Sequence, residues 1–410
     1  MGTDLDRDRN IMRLNKSLPG LKQSGRMWSQ EYQSTFRELG LEPCLTDPCV
    51  FVDDCTVLTI YVDDMLICSP RRERADEIIA VLQERYGCKT MGNLRTLLGM
   101  RIVVNDRGVS IDQPGYIEKL VEKHGTTRST NTPWPSDFNR RDEPVLSTDE
   151  HAQYRTIVGE LAWLANASRP DLMHAVSLLS RSLSEPTGLD LKTARRVLSY
   201  LATHSQKAIH YSPSDAGEIH LVCYVDSDFA NDESRRSRTG FVTLINGSPI
   251  SLASKMQSMV TLSSTEAEFI AIAAACCEVQ YLCMLLNKIW LFRLTSCTIR
   301  TDSEAALKLI CNPCAHSRTK YIDVKYRFIR EHYKQGDIEF QHVRSEQNIA
   351  GTGRFVDRHD HRYLILPDDW RHVLKLRHVK FVEGHAFVLT QRSTIHPRFK
   401  VAQSALLSLI

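Results

Sequence analysis

The sequence lacks the segments that would place a chain in or across a membrane. No uninterrupted apolar run approaches the roughly 18 residues of a membrane span; the longest, Phe269 to Cys277, stops at Glu278. The opening residues, MGTDLDRDRN, are polar and acidic, which argues against a secretory signal at this position. We therefore expect an intracellular protein without a membrane partner, and nothing in the sequence distinguishes cytoplasm from nucleus.

Two other classes are disfavoured by charge and by cysteine spacing. The formal net charge is only +3, so any basic surface for nucleic acid must be local. The 12 cysteines show no disulfide-like rhythm, which favours a reducing compartment. Cys311 and Cys314 form a CxxC pair followed by His316, but no second ligand pair has matching spacing. We therefore predict ordinary cysteines rather than a zinc site.

Apolar periodicity divides the 410 residues, enough for two or three domains, into four segments without an internal repeat. The sequence predicts a mixed α/β (α+β) fold, because a run of strands, a long helix, a strand, helices and a last strand follow one another after residue 218. The predicted segments are 11–125 (helix, hairpin with strands in 49–68, helix 72–86, second hairpin in 97–112, helix ending at Gly125), 126–217 (polar linker, then helices), 218–350 (strands and helices) and 351–410 (unassigned).

Two adjacent carboxylates, Asp63 and Asp64, lie between two runs of strand-forming residues in LTIYVDDMLICSP, residues 58–70. This pattern predicts a β-hairpin with an acidic tip. Nucleotidyl transfer is commonly catalysed by two Mg²⁺ ions about 4 Å apart, and Mg²⁺ prefers hard oxygen ligands such as carboxylates. The tip is therefore a candidate polymerase metal site. Acidic hairpin turns are common, so this pattern alone leaves a solvated turn as the alternative.

The surrounding sequence carries a family resemblance. The stretch NKSLPGLKQSGRMWSQEYQSTFRELGLEPCLTDPCVFV, followed by YVDDMLI, LGMRI, GYIEKL and YRTIVGELAWLANASRPDLMHAVSLLSRSLSEPT, closely resembles the reverse transcriptase region of copia-type LTR retrotransposon Pol polyproteins. The resemblance runs to about residue 350, more than four fifths of the chain. It implies a partial polymerase palm in which Asp63 and Asp64 are catalytic metal ligands.

The chain departs from this family at its front. Family members carry a further catalytic aspartate on a strand well upstream of the hairpin tip. The candidates here are Asp4, Asp6 and Asp8, in a charged tail without strand character, and Asp47, which matches a family turn. The fingers, which hold the incoming nucleotide and the template, are missing as well. We therefore expect a polymerase remnant that is inactive alone.

Three further carboxylates stand at the ends of predicted core elements. Asp226 lies in the apolar strand of YVDSDFA, Glu268 in the first turns of the helix of STEAEFIAIAAA, and Asp302 at the end of the strand of TIRTDSEAAL. Carboxylates so placed are able to converge on one metal pair. The alternatives are helix capping and solvation: Asp302 with Ser303 as a cap, and Glu266 acting on the helix dipole.

Taken together, these elements resemble the ribonuclease H domain that follows copia-type polymerases, above all in LSSTEAEFIAI and RTKYIDVKYRFIRE. The resemblance implies that Asp226, Glu268 and Asp302 bind Mg²⁺, with Mn²⁺ as a substitute, and hydrolyse RNA in an RNA–DNA hybrid. The segment SRRSRTG adds Arg235, Arg236 and Arg238 on a hairpin. We predict that these arginines contact backbone phosphates of the hybrid or another nucleic acid, with a solvated turn as the alternative.

The resemblance ends at Gly351, where the family has a fourth carboxylate before a TKPL-like stretch. Glycine offers no ligand, and family histidines are replaced by Tyr321 and Arg327. The later Asp357 and Asp360 lie in unmatched sequence and are poor replacements. We expect the loss of this ligand to weaken the site at least about 10–100-fold, the range typical of supporting residues. A change of reading frame or of splicing in the DNA is our hypothesis for the abrupt end.

The sequence thus predicts a retrotransposon Pol fragment with an inactive polymerase and at best weak hybrid hydrolysis. Two alternatives stay open: a nucleic-acid-binding remnant without catalysis, and a pseudogene product that folds poorly, whose exposed core edge would favour aggregation. The sequence does not distinguish oligomeric states.

Overall fold

A computed structural model describes residues 17–18, 20–105, 107–126, 129–135, 138, 143–211, 218–231, 234–289, 293–311, 323–351 and 385–390. The chain forms two compact units, Met1–Gly92 with His385–Ala402 and Asn93–Gly384 with Gln403–Ile410, each represented by its described residues. Features of the sequence analysis that lie outside the described residues are Asp4, Asp6, Asp8, Cys314, His316, Tyr321, Asp357 and Asp360.

Nine helices and fifteen strands lie in the described part of the chain. The helices are α1 Ser24–Glu38, α2 Arg72–Tyr86, α3 Pro114–His124, α4 Thr148–Ala167, α5 Met173–Leu179, α6 Gly188–Thr203, α7 Ser264–Leu286, α8 Glu304–Cys311 and α9 Asp323–Gln335. The strands are β1 Glu42–Pro43, β2 Val50–Val52, β3 Val57–Tyr61, β4 Asp64–Ser69, β5 Lys89–Asn93, β6 Thr96–Leu97, β7 Met100–Asn105, β8 Gly108–Asp112, β9 Ile209–Tyr211, β10 Glu218–Asp228, β11 Arg238–Ile245, β12 Ser248–Met256, β13 Arg293–Thr301, β14 Glu339–His342 and β15 His385–Thr390.

The first unit is a six-stranded sheet in the order β1-β2-β3-β4-β15-β5. Helix α1 contributes Phe36 and helix α2 contributes Ile78 to a core that also contains Phe51 and Ile60 of the sheet. These side chains are buried because the strands are strongly apolar and each helix packs one apolar face against the sheet. The helix predicted at 72–86 is confirmed by α2.

Strand β15 was not anticipated, because the sequence after residue 351 shows no clear period. It pairs antiparallel with β4, from His385 opposite Ser69 to Thr390 opposite Asp64. A strand of six residues has too few positions for an alternation pattern to be distinctive.

The second unit begins with a small sheet, β6-β7-β8-β9, and a helical cluster. The predicted second hairpin is confirmed by the antiparallel pairing of β7 with β8. Helices α3, α4, α5 and α6 share one hydrophobic core. Within the predicted helical segment, Arg169-Pro170 lies between α4 and α5 and Glu185-Pro186 lies between α5 and α6. The prediction of helices for the rest of segment 126–217 is wrong at β9, which pairs with β8 instead.

The remaining elements of this unit form a mixed five-stranded sheet in the order β12-β11-β10-β13-β14. Strands β10, β11 and β12 are antiparallel neighbours, whereas β13 runs parallel to β10 and β14 runs parallel to β13. Helix α7 packs across β10, β11 and β13. This is the order predicted from the sequence, a ribonuclease H-like sheet with helices. The predicted domain boundaries at 126, 218 and 351 stay predictions.

Helix α7 is the core helix of this sheet. By length and composition alone, this helix of 23 residues could cross a membrane. Among the described residues it is the one helix that meets this criterion. In the fold, 61% of the apolar stretch that meets it is buried. A helix that is apolar all round fits the interior of a large domain as well as a bilayer, and the packing of α7 against three strands accounts for its composition.

Candidate active site

The hairpin tip at Asp63 and Asp64 is closed by a two-residue loop. Tyr61 pairs with Asp64 across the strands, so Val62 and Asp63 form the loop, while Asp64 begins β4 instead of lying in the turn. Val62 has a positive φ of 58°, as the first loop residue of a primed hairpin turn requires. Its carbonyl accepts a hydrogen bond from the Trp28 indole N–H at 3.2 Å.

The tip supplies two carboxylates and no third within the described residues. Burial, together with the charge of Asp63, raises the pKa of Asp64. The carboxylate of Asp47 accepts a hydrogen bond from the backbone N–H of Cys49 at 2.8 Å, as in a local turn. In the described part of the chain, the group of three or more metal-ligating side chains lies elsewhere.

That group consists of Asp226, Glu268 and Asp302. One carboxylate oxygen from each lies within 4.8 Å of the others. Asp226 is on β10, Asp302 follows the last residue of β13, and Glu268 is on the first turns of α7. Because β10 and β13 are parallel neighbours, their carboxyl ends share one edge of the sheet, and α7 brings Glu268 to that edge. The structure therefore brings together the three carboxylates predicted from the sequence.

The electrostatics of Glu268 are those of a cation site. One of its oxygens accepts a hydrogen bond from the backbone N–H of Ser227 at 3.2 Å; the other is buried and has no hydrogen-bond partner. Burial, followed by the charges of Asp226 and Asp302, raises the pKa of Glu268 to about 8. Three close carboxylates, one with an unsatisfied buried oxygen, fit a divalent cation, which prefers oxygen ligands and would neutralise them.

The helix N-termini next to Asp302 and Glu268 are capped by serine side chains. The side chain of Ser303 accepts a hydrogen bond from the backbone N–H of Ala306 at 3.3 Å, so it caps α8. The side chain of Ser263 caps α7 by accepting from Glu266 N–H at 3.2 Å. Glu266 in turn accepts from the backbone N–H of Leu262 at 2.7 Å. Asp302 and Glu268 are thus left to face one another.

Asn348 is a site residue to which the sequence analysis gave no role. Its side chain is buried, and its amide N–H₂ donates to the carbonyl of Val225 at 2.9 Å and to the carboxylate of Asp302 at 3.2 Å. Its amide oxygen accepts from the backbone N–H of Ala350 at 3.2 Å. The signal in the sequence is the stretch QNIA, which matches the family up to Gly351.

Gly240 and Gly351 complete the wall of the cleft that contains Asp226. A Cβ atom at Gly240 would lie 3.0 Å from the carbonyl oxygen of Ala350, so the backbone after Asn348 runs directly against β11. Gly351 itself lines the cleft. Position 351 therefore lines the same cleft as Asp226 but carries no side chain.

The predicted arginine group divides. Arg235, at φ 55°, and Arg236 are exposed in the loop between β10 and β11. Arg238 is the first residue of β11 and only 5% exposed, so the alternative of a solvated turn does not hold for Arg238. Phosphate contact by the three arginines stays a prediction. Arg238 lies within the sheet because it pairs with Asp228 across β10 and β11. Arg327, which replaces a family histidine, is exposed on α9.

Comparison with known proteins agrees with the resemblance found in the sequence. A family model described as "Reverse transcriptase (RNA-dependent DNA polymerase)" matches residues 1–136. The Pol polyprotein of transposon TNT 1-94 from Nicotiana tabacum is 30% identical over 83% of this chain and 26% of its own length. The Pol polyprotein of transposon RE1 from Arabidopsis thaliana is 31% identical over 85% and 24%. The chain thus spans about a quarter of these relatives.

Two solved structures are similar to parts of the chain. LC11-RNase H1 in complex with an RNA/DNA hybrid is 17% identical, with a TM-score of 0.25, and covers 31% of this chain and 88% of its own. The foamy viral protease–reverse transcriptase in complex with dsDNA is 11% identical, with a TM-score of 0.43, and covers 80% and 59%.

Proposed function

Because the chain belongs to the copia-type LTR retrotransposon Pol polyproteins, we propose that it is a reverse transcriptase/ribonuclease H fragment whose remaining chemistry is metal-dependent hydrolysis of RNA in RNA–DNA hybrids. The observation that carries this proposal is the group of Asp226, Glu268 and Asp302, whose oxygens lie within 4.8 Å of one another. The fold and the family support it independently of that geometry.

In the proposed reaction, Asp226, Glu268 and Asp302 hold the divalent cations. Bound Mg²⁺ or Mn²⁺ would supply Lewis-acid activation of the attacking water and stabilisation of the leaving oxygen. Asn348 acts through Asp302: its N–H₂ orients one carboxylate oxygen and so leaves the other for a cation. Discrimination of RNA from DNA would come from contacts to 2′-hydroxyl groups across the wide minor groove.

We further propose that the chain does not synthesise DNA by itself. Asp63 and Asp64 are the two carboxylates of the hairpin tip, and no third side chain of that type joins them in the described residues. Two-metal catalysis of nucleotidyl transfer needs both ions held together. The chain spans about a quarter of the Pol polyprotein relatives, so polymerase activity would require parts that these 410 residues do not contain.

The test is a hybrid cleavage assay. The purified chain is incubated with an end-labelled RNA–DNA hybrid in Mg²⁺ and then in Mn²⁺, beside Asp226→Asn and beside duplex DNA as a substrate control. The expected result is slow cleavage of the RNA strand that disappears in Asp226→Asn. Equal cleavage by both chains would indicate a contaminating nuclease, and no cleavage in either ion would refute the proposed hydrolysis.

Gly351→Asp tests the role of the missing fourth carboxylate. Gly351 lines the cleft that contains Asp226, so an aspartate there adds an oxygen ligand near the cluster. We expect the cleavage rate to rise by about 10-fold or more, the lower end of the effect of supporting ligands. Ser345→Asp, in the exposed turn nearby, is the matched control and should leave the rate unchanged. A rate unaltered by Gly351→Asp would mean that this position does not reach the cations.

A second candidate function is nucleic-acid binding without catalysis. Gly351 favours it, because the position lines the cleft but offers no ligand. Hybrid binding that weakens steeply with salt, without cleavage in either cation, would support this candidate.

A further inference from the structure

A second concave site lies beside the carboxylate cluster, between helix α5 and the β10–β11 hairpin. We call it the basic pocket. It is lined by residues that include Trp134, His174, Arg181, Asp228, Arg236 and Arg238. Trp134 and His174 form one wall, with ring centroids 6.5 Å apart in an edge-on arrangement. Arg181 follows α5 and Arg236 precedes β11, and both are exposed at the rim.

The buried guanidinium of Arg238 is the feature that points to a ligand. Its Nη1 donates a hydrogen bond to the Ser177 hydroxyl at 2.5 Å, whereas its Nη2 is buried and has no hydrogen-bond partner. A buried charged donor without an acceptor is costly. Arg238 lines the basic pocket, so an anion in the pocket would provide the acceptor that the protein does not.

The charge of the basic pocket favours an anion. Three arginines face one carboxylate, Asp228, among the described lining residues. Burial and the charge of Arg181 both lower the pKa of Arg238, against a smaller opposite effect of Asp228. Asp228 also accepts a hydrogen bond from the Asn231 side chain at 3.4 Å. The described lining of the basic pocket thus carries more guanidinium groups than carboxylates.

The position of the pocket relates it to the carboxylate cluster. Asp226 and Asp228 are two residues apart on β10, so their side chains leave the same face of the strand, about 7 Å apart. Arg238 also lines the cleft that contains Asp226. If one backbone phosphate of a nucleic-acid strand lies at the carboxylate cluster, the next phosphate of that strand would therefore lie near the arginines.

We propose that the basic pocket binds one backbone phosphate of the nucleic acid, next to the phosphate that lies at Asp226. This inference rests on the proposed function, because it takes the same nucleic acid as the ligand. The planar guanidinium groups of Arg181, Arg236 and Arg238 would donate paired hydrogen bonds to the phosphate oxygens. Contacts of this kind set position and register, not base sequence.

The first measurement is binding of a fluorescent RNA–DNA hybrid by anisotropy, in EDTA to prevent cleavage, over a series of salt concentrations. Arg181→Gln and Arg236→Gln are exposed and should fold normally. We expect each to weaken binding several-fold and to reduce the salt slope by somewhat less than about one, as one lost phosphate contact does. Lys192→Gln, an exposed position on α6, is the control and should change neither quantity.

The second measurement locates the phosphate. Single methylphosphonate groups are placed along each strand of the hybrid, and binding is compared for the unmodified chain, Arg181→Gln and Arg238→Gln. At one position the effect of the neutral group should be clearly smaller in both variants than in the unmodified chain, the non-additivity expected for contacting partners. Thermal unfolding of Arg238→Gln checks its fold, and the exposed Arg181→Gln keeps the test decisive if that variant unfolds.

The possible outcomes separate the pocket from the proposed hydrolysis. Additive effects at every position would overturn the pocket, even if RNA cleavage that depends on Asp226 is observed. Coupling at one position without any cleavage would support the pocket and refute the hydrolysis. Absence of salt-dependent hybrid binding would overturn the pocket as well.

Discussion

The carboxyl group of Glu268 lies where its surroundings oppose ionisation. One oxygen has no hydrogen-bond partner, and the nearby charges of Asp226 and Asp302 add to the effect of burial on its pKa. In the absence of a cation, at a pH between the two pKa values, Glu268 is therefore protonated in the folded state and ionised in the unfolded chain. Perturbed carboxyl groups of this kind cluster at functional sites.

This property predicts a pH dependence of stability in the metal-free protein. The folded-state pKa of Glu268, about 8, lies above its ordinary value of 4.5. The contribution of the proton to stability is thus complete below about pH 4.5 and is lost as the pH rises through about 8. Glu268→Gln should remove this loss, so that its Tm in EDTA exceeds that of the unmodified chain at high pH.

Thermal unfolding between about pH 5 and pH 9 checks this prediction. Glu118→Gln, an exposed position on α3, should keep the pH dependence of the unmodified chain. An identical pH profile in Glu268→Gln would show that Glu268 titrates normally in the fold.

Asn348 carries a second prediction at the scale of the residue. Asn348→Ala removes the hydrogen bonds to the Val225 carbonyl and to Asp302 and leaves buried acceptors unsatisfied. We expect the free energy of unfolding to fall by about 1–3 kcal/mol and Mg²⁺ affinity to fall by about 10–100-fold. Calorimetric Mg²⁺ titration and chemical denaturation measure the two effects. Gln347→Ala, its exposed neighbour, is the control; unchanged Mg²⁺ affinity in Asn348→Ala would limit Asn348 to a structural role.

At the scale of the element, the β3–β4 hairpin holds a β-branched residue in an unfavourable backbone conformation. Val62 has φ 58°, where side chains branched at Cβ are rarely found. The pairing of Tyr61 with Asp64 and the Trp28 hydrogen bond to the Val62 carbonyl impose this conformation. The strain lies next to Asp63, so it helps to set where that carboxylate points.

Val62→Gly should therefore stabilise the hairpin. Relief of about 1–3 kcal/mol of strain exceeds the roughly 0.5–1 kcal/mol entropic penalty of glycine, and we expect a net gain of about 1 kcal/mol. Val52→Gly, the same change on β2, should instead destabilise by about 1 kcal/mol. Chemical denaturation of both variants measures the difference, and equal losses in the two would contradict the assignment of strain to Val62.

At the scale of the whole molecule, a buried charge network joins the segments between α4 and β9. Arg169 donates to both oxygens of Asp171, at 2.9 and 2.7 Å, and to the carbonyl of His204 at 2.9 Å. Tyr200 donates to Asp171 at 2.8 Å. Burial opposes the ionisation of Asp171, but the charge and hydrogen bonds of Arg169 outweigh it and lower the pKa.

Replacing one member of the Arg169–Asp171 pair should lower the free energy of unfolding far more than replacing both. Arg169→Met leaves the buried Asp171 carboxylate with the Tyr200 hydroxyl but without the guanidinium that pairs with it, so we expect a loss of about 3–5 kcal/mol. The double variant Arg169→Met with Asp171→Leu should recover much of that loss, because a buried ion pair and apolar groups of similar volume are often equivalent. Chemical denaturation of the three chains measures these differences. A double variant as unstable as Arg169→Met would show that the hydrogen bonds to the His204 carbonyl and from Tyr200 outweigh the ion pair.

Agreement between sequence and structure is best where the pattern is long and local. Helix α2, the β7–β8 hairpin and the mixed sheet follow from apolar periodicity and from the turn residues between their elements. Agreement is poorest where pairing partners lie far apart along the chain, as for β9 and β15. A strand of three to six residues is defined by the edge it joins, and no local pattern encodes that edge.

For the site, the sequence by itself determined the chemistry: Asp226, Glu268 and Asp302 at the ends of core elements, and Gly351 where the family has an acid. Only the tertiary structure decided the geometry. Parallel pairing of β10 with β13 brings the first and last carboxylates to one edge, Asn348 bonds to Asp302 across 46 positions of sequence, and pairing with Asp228 buries Arg238. Residue type is carried by each position alone, whereas distance and burial depend on contacts between segments far apart in the chain.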